Sequence, residues 1–277
     1  MSRLRPPSWS VFTDRSDADE EGGEWWAAPS NEQRLARATV VGASHLSLPL
    51  RSQPPTLVVT DGDATLFREE VIDELACFAG VGEQVVAITA QAMHGNMGFT
   101  ESLTRRVALL EGLPVRALDQ VRESLTLTPG AQALIRWSHK VGAKFGVVSG
   151  GFTAVLEPLT QRLGVDHLAA NTLEIEDGRL TGRVLGQVVD GLEKERVFAK
   201  WADAASGSAV DRAQALASSV AVGDGANDIP MLRSAGLGIA FRAKPAVREA
   251  VPSYLDLAQL DAVVGLLGWR PTGSEGE

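Results

Sequence analysis

Four short apolar segments, separated by longer segments with helical periodicity, constrain the fold of this chain more than any other feature. They span residues 56–60, 145–148, 220–222 and 237–241. Continuous apolar strands that alternate with helices are typical of a parallel sheet that is covered on both faces. We therefore predict an α/β fold with a three-layer, Rossmann-like core.

Polar residues follow the first three of these segments directly. Asp61 follows the first segment, Ser149 follows the second, and Gly223 and Asp224 follow the third. In parallel sheets of this kind, ligands bind beyond the carboxyl ends of the strands. We therefore expect the three polar segments to meet at one edge of the sheet and to form a cleft.

Two insertions interrupt the alternation. In residues 68–127 apolar side chains recur at helical spacing, which predicts a small helical bundle that forms a cap over the sheet edge. Within residues 173–189, two strand-like runs flank Asp177-Gly178, a turn signal that is typical of a β-hairpin. Gly112 and Gly130 are predicted as hinges that let the cap move over the cleft.

The two ends of the chain differ from this core. Acidic residues crowd positions 14–24, and Trp9, Trp25 and Trp26 lie close to them. We interpret this segment as largely disordered, and the alternative is a tail whose tryptophans dock on the domain or on a partner. The expected divisions are an N-terminal extension (1–55) that ends in a linker, a core (56–67 and 128–270), a helical cap (68–127) and a C-terminal tail (271–277).

Composition narrows the classes of function. The formal net charge of −9 argues against a protein that coats nucleic acid and against a polybasic membrane face. No apolar run approaches the about 18 residues of a membrane span. The single cysteine, Cys77, excludes an intramolecular disulfide and a multi-cysteine metal site, and we expect it to pack inside a cap helix. A cytoplasmic enzyme without a nucleic-acid or membrane partner fits these features.

Asp61 and Asp63 are the first candidates for chemistry. They lie two positions apart on a turn that leaves a buried strand, so both carboxylates would face the same cleft. Such a pair can act as nucleophile and acid/base, or it can bind a hard cation. The alternative is an ordinary solvated turn, because aspartate and glycine are common turn residues.

The other two strand ends carry complementary groups. Ser149, Gly150 and Gly151 offer a hydroxyl and backbone N–H groups that can hold an anion, although a simple glycine-rich turn has the same composition. In residues 223–228, Asp224 can reach a cation, and Asn227 and Asp228 can support it. Lys194 lies near an expected helix start, where it would neutralise a carboxylate and a phosphate together, or would remain a solvated surface lysine.

Taken together and in this order, these motifs resemble the haloacid-dehalogenase-like superfamily of aspartyl-phosphate phosphatases and, within it, the phosphoserine phosphatases. The resemblance covers about residues 56–267. Beyond the catalytic motifs, it is carried by the segments 70–75, 90–93, 99–103, 105–107, 147–152, 177–182, 221–228 and 236–241.

The resemblance implies a role for each catalytic position. Asp61 would attack phosphorus and become an aspartyl-phosphate, and Asp63 would protonate the leaving oxygen and then activate water. The carboxylates of Asp61 and Asp224 and the backbone carbonyl of Asp63 would hold Mg²⁺. Lys194 would offset the charge of Asp61 and of the phosphate.

The resemblance also implies how the phosphoryl group is held. Ser149 and the Gly150 N–H would bind the phosphoryl oxygens. Asn227 would orient the substrate, and Asp228 would support the metal ligands without binding the metal itself. The substrate implied is a small phosphomonoester.

The cap residues carry the choice of substrate in this resemblance. Glu70 would pair with the substrate ammonium, and Arg106 would pair with its carboxylate in a bidentate manner. Met93 and Phe99 would shield the cleft from water. The alternatives are solvated positions for Glu70 and Arg106, and packing inside the bundle for Met93 and Phe99.

The sequence departs from the family pattern at three places. Gly62 stands where a bulky apolar residue is usual, and Ala64 stands where serine is usual. We expect Gly62 to act through its backbone, although glycine has more conformational freedom to lose. We expect residues 1–55 to be too short and too acidic to form the regulatory amino-acid-binding domain that many relatives carry.

Three functions compete at this stage. The first is Mg²⁺-dependent hydrolysis of O-phospho-L-serine to L-serine and phosphate, the last step of serine biosynthesis. The second is a phosphotransferase that passes the phosphoryl group from Asp61 to another alcohol, such as homoserine. The third is a non-catalytic protein that binds a phosphorylated metabolite, against which the intact Asp61, Asp63, Lys194 and Asp224 argue. No stripe of residues indicates an oligomer interface.

Overall fold

The computed structural model describes residues 46–93 and 96–267, and its centre is one seven-stranded sheet. The strands lie in the order β4-β3-β2-β1-β5-β6-β7, and every neighbouring pair except β3 and β4 is parallel. The strands are β1 (Leu57–Thr60), β2 (Lys144–Phe152), β3 (His167–Glu176), β4 (Arg179–Leu185), β5 (Ser219–Gly223), β6 (Leu237–Phe241) and β7 (Tyr254–Leu255).

Helices cover both faces of this sheet, so the predicted α/β class with three layers is confirmed. The helices are α1 (Leu48–Ser52), α2 (Val71–Ala79), α3 (Gly82–Met93), α4 (Phe99–Ala108), α5 (Arg116–Ser124), α6 (Ala131–Lys140), α7 (Thr153–Leu163), α8 (Gly191–Ser206), α9 (Arg212–Ala217), α10 (Ile229–Ser234), α11 (Pro245–Ala250) and α12 (Ala262–Leu267). None of these helices is both long and apolar enough to span a membrane.

The side chains of β1 show how the two apolar cores arise. All four strand residues are buried, and successive side chains point to opposite faces of the sheet. Val58 therefore joins the core that α6 and α7 cover, whereas Leu57 and Val59 join the core that α8 and α10 cover. Burial on both faces explains why this strand appears in the sequence as a continuous apolar run.

Helices α2 to α5 form the cap that the sequence predicts between the first two strands. Its two connections to the core run side by side. Phe67 and Leu127 form an antiparallel bridge. The Arg68 N–H donates to the Thr126 carbonyl at 3.0 Å, and the Thr128 N–H donates to the Leu66 carbonyl at 2.9 Å. The cap therefore stands on a paired, two-strand stalk.

The predicted hairpin is present, and its turn lies at Asp177 and Gly178 with φ values of 48° and 72°. Positive φ at both central residues is the conformation that matches the twist of a two-residue hairpin. The first hairpin strand also pairs with β2 in parallel, so the hairpin extends the main sheet. Its second strand, β4, is the last strand on that side of the sheet.

A segment of the cap, residues 112–115, docks on strand β4. The Gly112 N–H donates to the Leu180 carbonyl at 2.8 Å, and the Leu180 N–H donates to the Leu113 carbonyl at 2.9 Å. The Val115 N–H donates to the Gly178 carbonyl at 3.0 Å. We call this contact the cap–hairpin dock.

Three predictions about single residues in this part of the chain need correction. Gly112 is not free to act as a hinge, because its N–H belongs to the cap–hairpin dock. Gly130 is also closely packed, since a Cβ atom there would lie 2.1 Å from Asp261 Oδ1. Cys77 is exposed on the outer face of α2 rather than packed inside the cap.

The chain immediately before β1 also differs from the predicted loose extension and linker. Residues 48–52 form α1, and both Leu50 within this helix and Leu46 just before it are buried in the core. The Ser47 N–H donates to the Gly236 carbonyl at 3.1 Å, which fixes α1 to the core. The acidic segment, its tryptophans and the C-terminal tail lie outside the described residues.

Candidate active site

The candidate active site lies at the carboxyl ends of β1, β2 and β5, where the sequence places its polar motifs. Thr60 is in register with Val147 on one side and with Val222 on the other. Asp61 and Asp224 directly follow β1 and β5, and Ser149 lies two residues after Val147 in β2, so all three are at the same edge of the sheet. The register of the strands thus brings the three polar segments together, as the sequence predicts.

The turn after β1 holds Asp61 rigidly. Its N–H donates to the Val222 carbonyl at 2.8 Å, and its Oδ1 accepts from the Gly62 N–H at 2.6 Å. The Phe67 N–H closes the turn on the Gly62 carbonyl at 2.9 Å. Ala64 has φ 52°, a left-handed conformation that is uncommon for a residue with a side chain.

Close packing against Ser149 explains why position 62 is a glycine, and the sequence does not reveal this contact. A Cβ atom at this position would lie 2.7 Å from Ser149 Oγ and 2.8 Å from Ser149 Cβ. In this arrangement a side chain at position 62 would displace Ser149. Because both backbone groups of Gly62 are hydrogen-bonded, the glycine does not leave the turn loose.

Lys194 joins two of the site's carboxylates. Its Nζ lies 2.9 Å from Asp61 Oδ1 and 2.7 Å from Asp228 Oδ1, and the side chain is fully buried. The Asp190 side chain caps α8 by accepting from the Glu193 N–H at 2.9 Å, which places Lys194 in the first turn. Burial lowers the pKa of the Lys194 ammonium, but Asp228 and Asp61 raise it above its ordinary value.

Asp61, Asp224 and Asp228 form a cluster that can hold a metal ion. One carboxylate oxygen from each lies within 4.8 Å of the others. Burial, followed by the charge of Asp228, raises the pKa of Asp61 well above its ordinary range and that of Asp224 to about 6. This crowding of negative charge and these hard oxygen donors fit a divalent cation.

The three carboxylates are not equally available to a cation. Asp228 Oδ1 accepts from Lys194, and its Oδ2 accepts from the Gly225 N–H at 2.9 Å. Asp224 Oδ1 accepts from the Thr65 hydroxyl at 2.9 Å, a contact to which sequence reasoning assigned no role. The supporting role of Asp228 and the ligand set both remain predictions.

Asp63 lies in a pocket where its neutral form is favoured. Burial and the nearby Glu70 raise its pKa well above the ordinary value, whereas Lys194 and a hydrogen bond from the Val71 N–H lower it. Asp63 Oδ1 is buried and has no hydrogen-bond partner among the described residues. A Cβ atom on Gly151 would lie 3.1 Å from both carboxylate oxygens, so glycine is needed beside them.

Residues 149–151, for which an anion cradle is predicted, lie in the last part of β2. Ser149 is fully buried, and its Oγ accepts from the Gly151 N–H at 2.8 Å. The Gly150 carbonyl accepts from Asn171 Nδ2 at 2.8 Å. Asn227 lies beside the cradle, since its Nδ2 is 4.0 Å from the position of a Cβ atom on Gly150.

Asn171 is a supporting residue that the sequence analysis missed. It is buried on β3, and its Oδ1 accepts from the Val189 N–H at 2.9 Å while its amide holds the cradle. One side chain thus connects the cradle to the segment before α8, which carries Lys194. The sequence offered no clear signal for it, because Asn171 precedes the predicted run that starts at residue 173 and follows the partly buried start of β3.

The cap presents Glu70 and Arg106 toward the cleft. The Arg106 guanidinium interacts electrostatically with Glu70, Asp73 and Asp63, although its desolvation lowers its pKa. Glu70, an exposed residue at the start of α2, has its pKa raised to about 7 by desolvation of its carboxylate and then by Asp224 and Asp73.

The neighbouring residues Glu69 and Arg105 bind partners outside the cleft, unlike Glu70 and Arg106. The Glu69 carboxylate accepts from the Thr126 N–H at 2.8 Å, and Arg105 pairs with Glu101 at 2.7 Å on the same helix. The choice of positions 70 and 106 over 69 and 105 therefore agrees with the geometry.

The two predicted shielding residues separate in the structure. A Cβ atom on Gly150 would lie 3.0 Å from the ring of Phe99, so this ring covers the cradle. Met93 is instead 58% exposed at the end of α3, where its Sδ lies 3.5 Å from Lys244 Nζ. The expected shielding by Met93 is corrected, because the end of α3 reaches the rim of the core rather than the interior of the cleft.

Comparison with known families agrees with this site. The model of the haloacid dehalogenase-like hydrolase family matches residues 58–233, and a second model with the same description matches residues 213–267.

Individual proteins extend the comparison. The chain is 47% identical to a phosphoserine phosphatase of Streptomyces coelicolor over 84% of its own length and 55% of that protein. It is 51% identical to the phosphoserine phosphatase SerB2 of Mycobacterium tuberculosis over 76% of its own length and 50% of that protein. The chain thus spans about half the length of these two relatives.

A solved structure is also similar. It is that of a phospho-aspartyl intermediate analogue of phosphoserine phosphatase, with a TM-score of 0.70 and 38% identity. The match covers 77% of this chain and 98% of that one. With a family model matched over most of the core, Asp61 and Asp224 at its strand ends and the buried Lys194 of α8 beside Asp61, the chain belongs to the haloacid dehalogenase-like hydrolase family.

Proposed function

We propose that this chain hydrolyses O-phospho-L-serine to L-serine and phosphate in a Mg²⁺-dependent reaction, and that it functions in serine biosynthesis. The observation that carries the proposal is the buried Asp61, 2.9 Å from the Lys194 ammonium, beneath a cap that presents both Glu70 and Arg106. The similar proteins named as phosphoserine phosphatases support it.

The first half of the reaction transfers the phosphoryl group to the protein. Asp61 Oδ attacks phosphorus, the bond between phosphorus and the seryl oxygen breaks, and Asp63 donates its proton to that oxygen. The raised pKa of Asp63 suits this role, because the carboxyl keeps its proton until the leaving group needs it. Burial raises the pKa of Asp61, and the adjacent Lys194 ammonium counteracts this shift and favours the anionic form that attacks phosphorus.

The second half releases phosphate. The Asp63 carboxylate, now without its proton, accepts a proton from water as the water oxygen adds to phosphorus. The bond between phosphorus and Asp61 then breaks, and phosphate leaves. Ser149 and the Gly150 N–H hold the phosphoryl oxygens in both halves, and donors fixed in advance stabilise the developing charge without reorganisation.

The metal would be held by the carboxylates of Asp61 and Asp224 and by the backbone carbonyl of Asp63. Bound there, Mg²⁺ supplies the positive charge that allows an anionic nucleophile and an anionic phosphate to approach each other. Thr65 keeps one Asp224 oxygen in place, and Asp228 keeps Lys194 in place, so that the ligands have a fixed arrangement before binding.

The two cap residues define the substrate class. Glu70 offers a carboxylate to an ammonium group, and Arg106 offers a planar donor pair to a carboxylate. An amino acid that carries a phosphate on its side chain meets both demands.

A comparison of neighbouring arginines tests the proposal. Purified protein should release phosphate from O-phospho-L-serine, and chelation by EDTA should stop the release. Arg106→Ala should raise the KM for O-phospho-L-serine by about 100-fold, because a hydrogen-bonded charge pair is lost. Arg105→Ala, whose partner is the exposed Glu101, should leave the KM unchanged.

Two results would contradict the proposal. One is the absence of phosphate release from O-phospho-L-serine in a panel in which D-phosphoserine, phosphothreonine or another phosphomonoester is hydrolysed instead. The other is transfer of the phosphoryl group to an added alcohol such as homoserine in preference to water, which product analysis would detect.

A further inference from the structure

Ser102, on cap helix α4, has a buried hydroxyl for which the described residues provide no hydrogen-bond partner. The residue is only 2% exposed. Hydroxyls inside helices commonly donate to a carbonyl one turn earlier. Thr104 on the same helix does so at 2.8 Å, and Ser138 on α6 does so at 2.9 Å. The Ser102 hydroxyl remains unused, although an unpaired buried hydroxyl destabilises the fold.

The position of Ser102 on its helix relates it to the cleft. Phe99, Ser102 and Arg106 have the spacing i, i+3 and i+7, which places them along one side of α4. Phe99 reaches the anion cradle at Gly150, and Arg106 interacts with Glu70 and Asp63. Ser102 therefore lies between the residue that covers the phosphate site and the residue that defines the amino-acid site.

The contact between Ser102 and Arg106 supports this placement. Arg106 Nε donates to the Ser102 backbone carbonyl at 3.4 Å, so the arginine side chain turns back along the helix toward Ser102. A ligand group that meets the guanidinium would then lie on the side of α4 that carries Ser102. Under the proposed function that group is the substrate carboxylate, whose roughly four lone-pair sites exceed the two hydrogen bonds that a bidentate arginine donates to it.

We propose that Ser102 is a specificity-determining residue whose hydroxyl donates a hydrogen bond to the carboxylate of the amino-acid substrate beside Arg106. This inference rests on the proposed function and deepens it. Glu70 and Asp73 already place negative charge near Arg106. The Ser102 hydroxyl is neutral, so it gives the substrate carboxylate a second hydrogen-bond donor without adding another charged group. The unpaired hydroxyl of the free protein becomes satisfied when the substrate binds.

The experiment compares Ser102→Ala with the parent on two esters that differ in one group. O-phospho-L-serine has the carboxylate, and O-phosphoethanolamine lacks it. The variant should raise the KM for phosphoserine by about 10-fold with little change in kcat, because one hydrogen bond to a charged group is lost. Its kcat/KM for phosphoethanolamine, measured with enzyme in excess, should equal that of the parent.

Thermal unfolding separates this role from a structural one. Because the hydroxyl has no partner in the free protein, Ser102→Ala should keep or raise the Tm. Ser138→Ala, the matched control, removes a buried hydroxyl that is hydrogen-bonded, and it should lower the Tm without changing the KM for phosphoserine.

The possible failures are distinguishable. An unchanged KM for phosphoserine, or an equal loss with both esters, would overturn the assignment of Ser102 alone. A parent protein that hydrolyses phosphoethanolamine as efficiently as phosphoserine would overturn the proposed function, and the assignment of Ser102 with it.

Discussion

Lys194 maintains the charge balance of the cleft. Its fully buried ammonium lies within 3 Å of two carboxylates, at 2.9 Å from Asp61 and 2.7 Å from Asp228. A buried charge is tolerated only when it is paired, and the removal of one partner leaves the other uncompensated. Lys194 therefore has two separable effects, one on the nucleophile and one on the fold.

Replacement of Lys194 by methionine tests both effects. The substitution keeps the length of the side chain and removes its charge, so Asp61 and Asp228 lose their shared cation. We expect kcat to fall by at least about 10²-fold. The free energy of unfolding should fall by about 3–5 kcal/mol in urea titrations.

Lys200→Met provides the control on the same helix. Lys200 is exposed on α8, so its replacement should change neither phosphate release nor the urea midpoint by a measurable amount. A Lys194→Met variant that retains normal kcat would contradict the role of the ammonium in the reaction.

Individual site residues differ in how far the sequence predicts them. Asp61, Ser149 and Asp224 each follow an apolar run directly, so the strand pattern alone brings them together. Asn171 and Gly62 act through contacts with Gly150 and Ser149 that are distant in the sequence, and no local pattern reveals such contacts. The exposure of Met93 likewise depends on where the end of α3 lies, which periodicity does not define.

The cap–hairpin dock constrains how the cap can move. Three backbone hydrogen bonds join residues 112–115 to the hairpin, and Arg179 adds a fourth from its side chain to the Gly112 carbonyl at 2.7 Å. The stalk holds the cap at a second place. Opening of the cleft therefore requires that the dock breaks or that the hairpin moves together with the cap.

Gly182 allows a test of a neighbouring contact, between the hairpin and α4 of the cap, with a matched control. It has φ 77°, and a Cβ atom there would lie 3.1 Å from the Ala108 carbonyl oxygen on α4. Gly186 has a similar φ of 74° but has open space around it. Gly182→Val should destabilise the protein by about 1–3 kcal/mol more than Gly186→Val, because only the first substitution also clashes with the cap.

Two measurements check this prediction. Thermal unfolding compares the stability of the two variants, and limited proteolysis should cleave the cap faster in Gly182→Val. Equal stability and equal cleavage would show that the backbone conformation, rather than the contact with α4, makes glycine necessary at position 182.

Helix α1 anchors the chain before β1 through one buried leucine. Leu50 is 1% exposed and belongs to the main core, whereas Leu48 on the same helix is 78% exposed. Leu50→Ala should lower the free energy of unfolding by about 2–4 kcal/mol, because a cavity remains in the core. Leu48→Ala should change it by less than about 0.5 kcal/mol. If Leu50→Ala changed the free energy of unfolding in urea titrations as little as Leu48→Ala does, α1 would contribute nothing to the core.

The elements themselves were predictable to different degrees. Strands β1, β2, β5 and β6 carry runs of apolar residues that stand out because both faces are buried. The start of β3 has partly buried residues, and β7 has only two residues, so neither has a distinct pattern. Helix α1 has only five residues and contains Pro49 in its first turn, and its stability comes from contacts with the core rather than from its own sequence.

The crowding of acids in the cleft couples the stability of the protein to pH and to a divalent cation. Asp224 has a pKa of about 6 instead of 3.8, and Glu70 has a pKa of about 7 instead of 4.5. Both carboxyls hold protons more tightly in the folded state than in the unfolded chain. Without a divalent cation, the free energy of unfolding should therefore fall as pH rises from 3.8 through about 7.

Thermal unfolding in the presence of EDTA or Mg²⁺ tests this coupling. Because the cation competes with protons for the same oxygens, Mg²⁺ should raise the Tm more at about pH 7.5 than at about pH 5. Asp224→Asn should reduce both the dependence on pH and the increase caused by Mg²⁺. If Mg²⁺ raised the Tm by the same amount at both pH values, the coupling between cation binding and protonation would be contradicted.

The cap–hairpin dock also protects the edge strand β4 from pairing with a second molecule, which affects solubility. β4 ends one side of the sheet with seven residues, and β7 ends the other with only two, so β4 is the longer surface on which a second molecule could add a strand. Residues 112–115 occupy part of its backbone. Substitutions that release the cap should therefore lower solubility in a concentration-dependent manner, and a loss of activity in such variants would reflect self-association as well as a disturbed cleft.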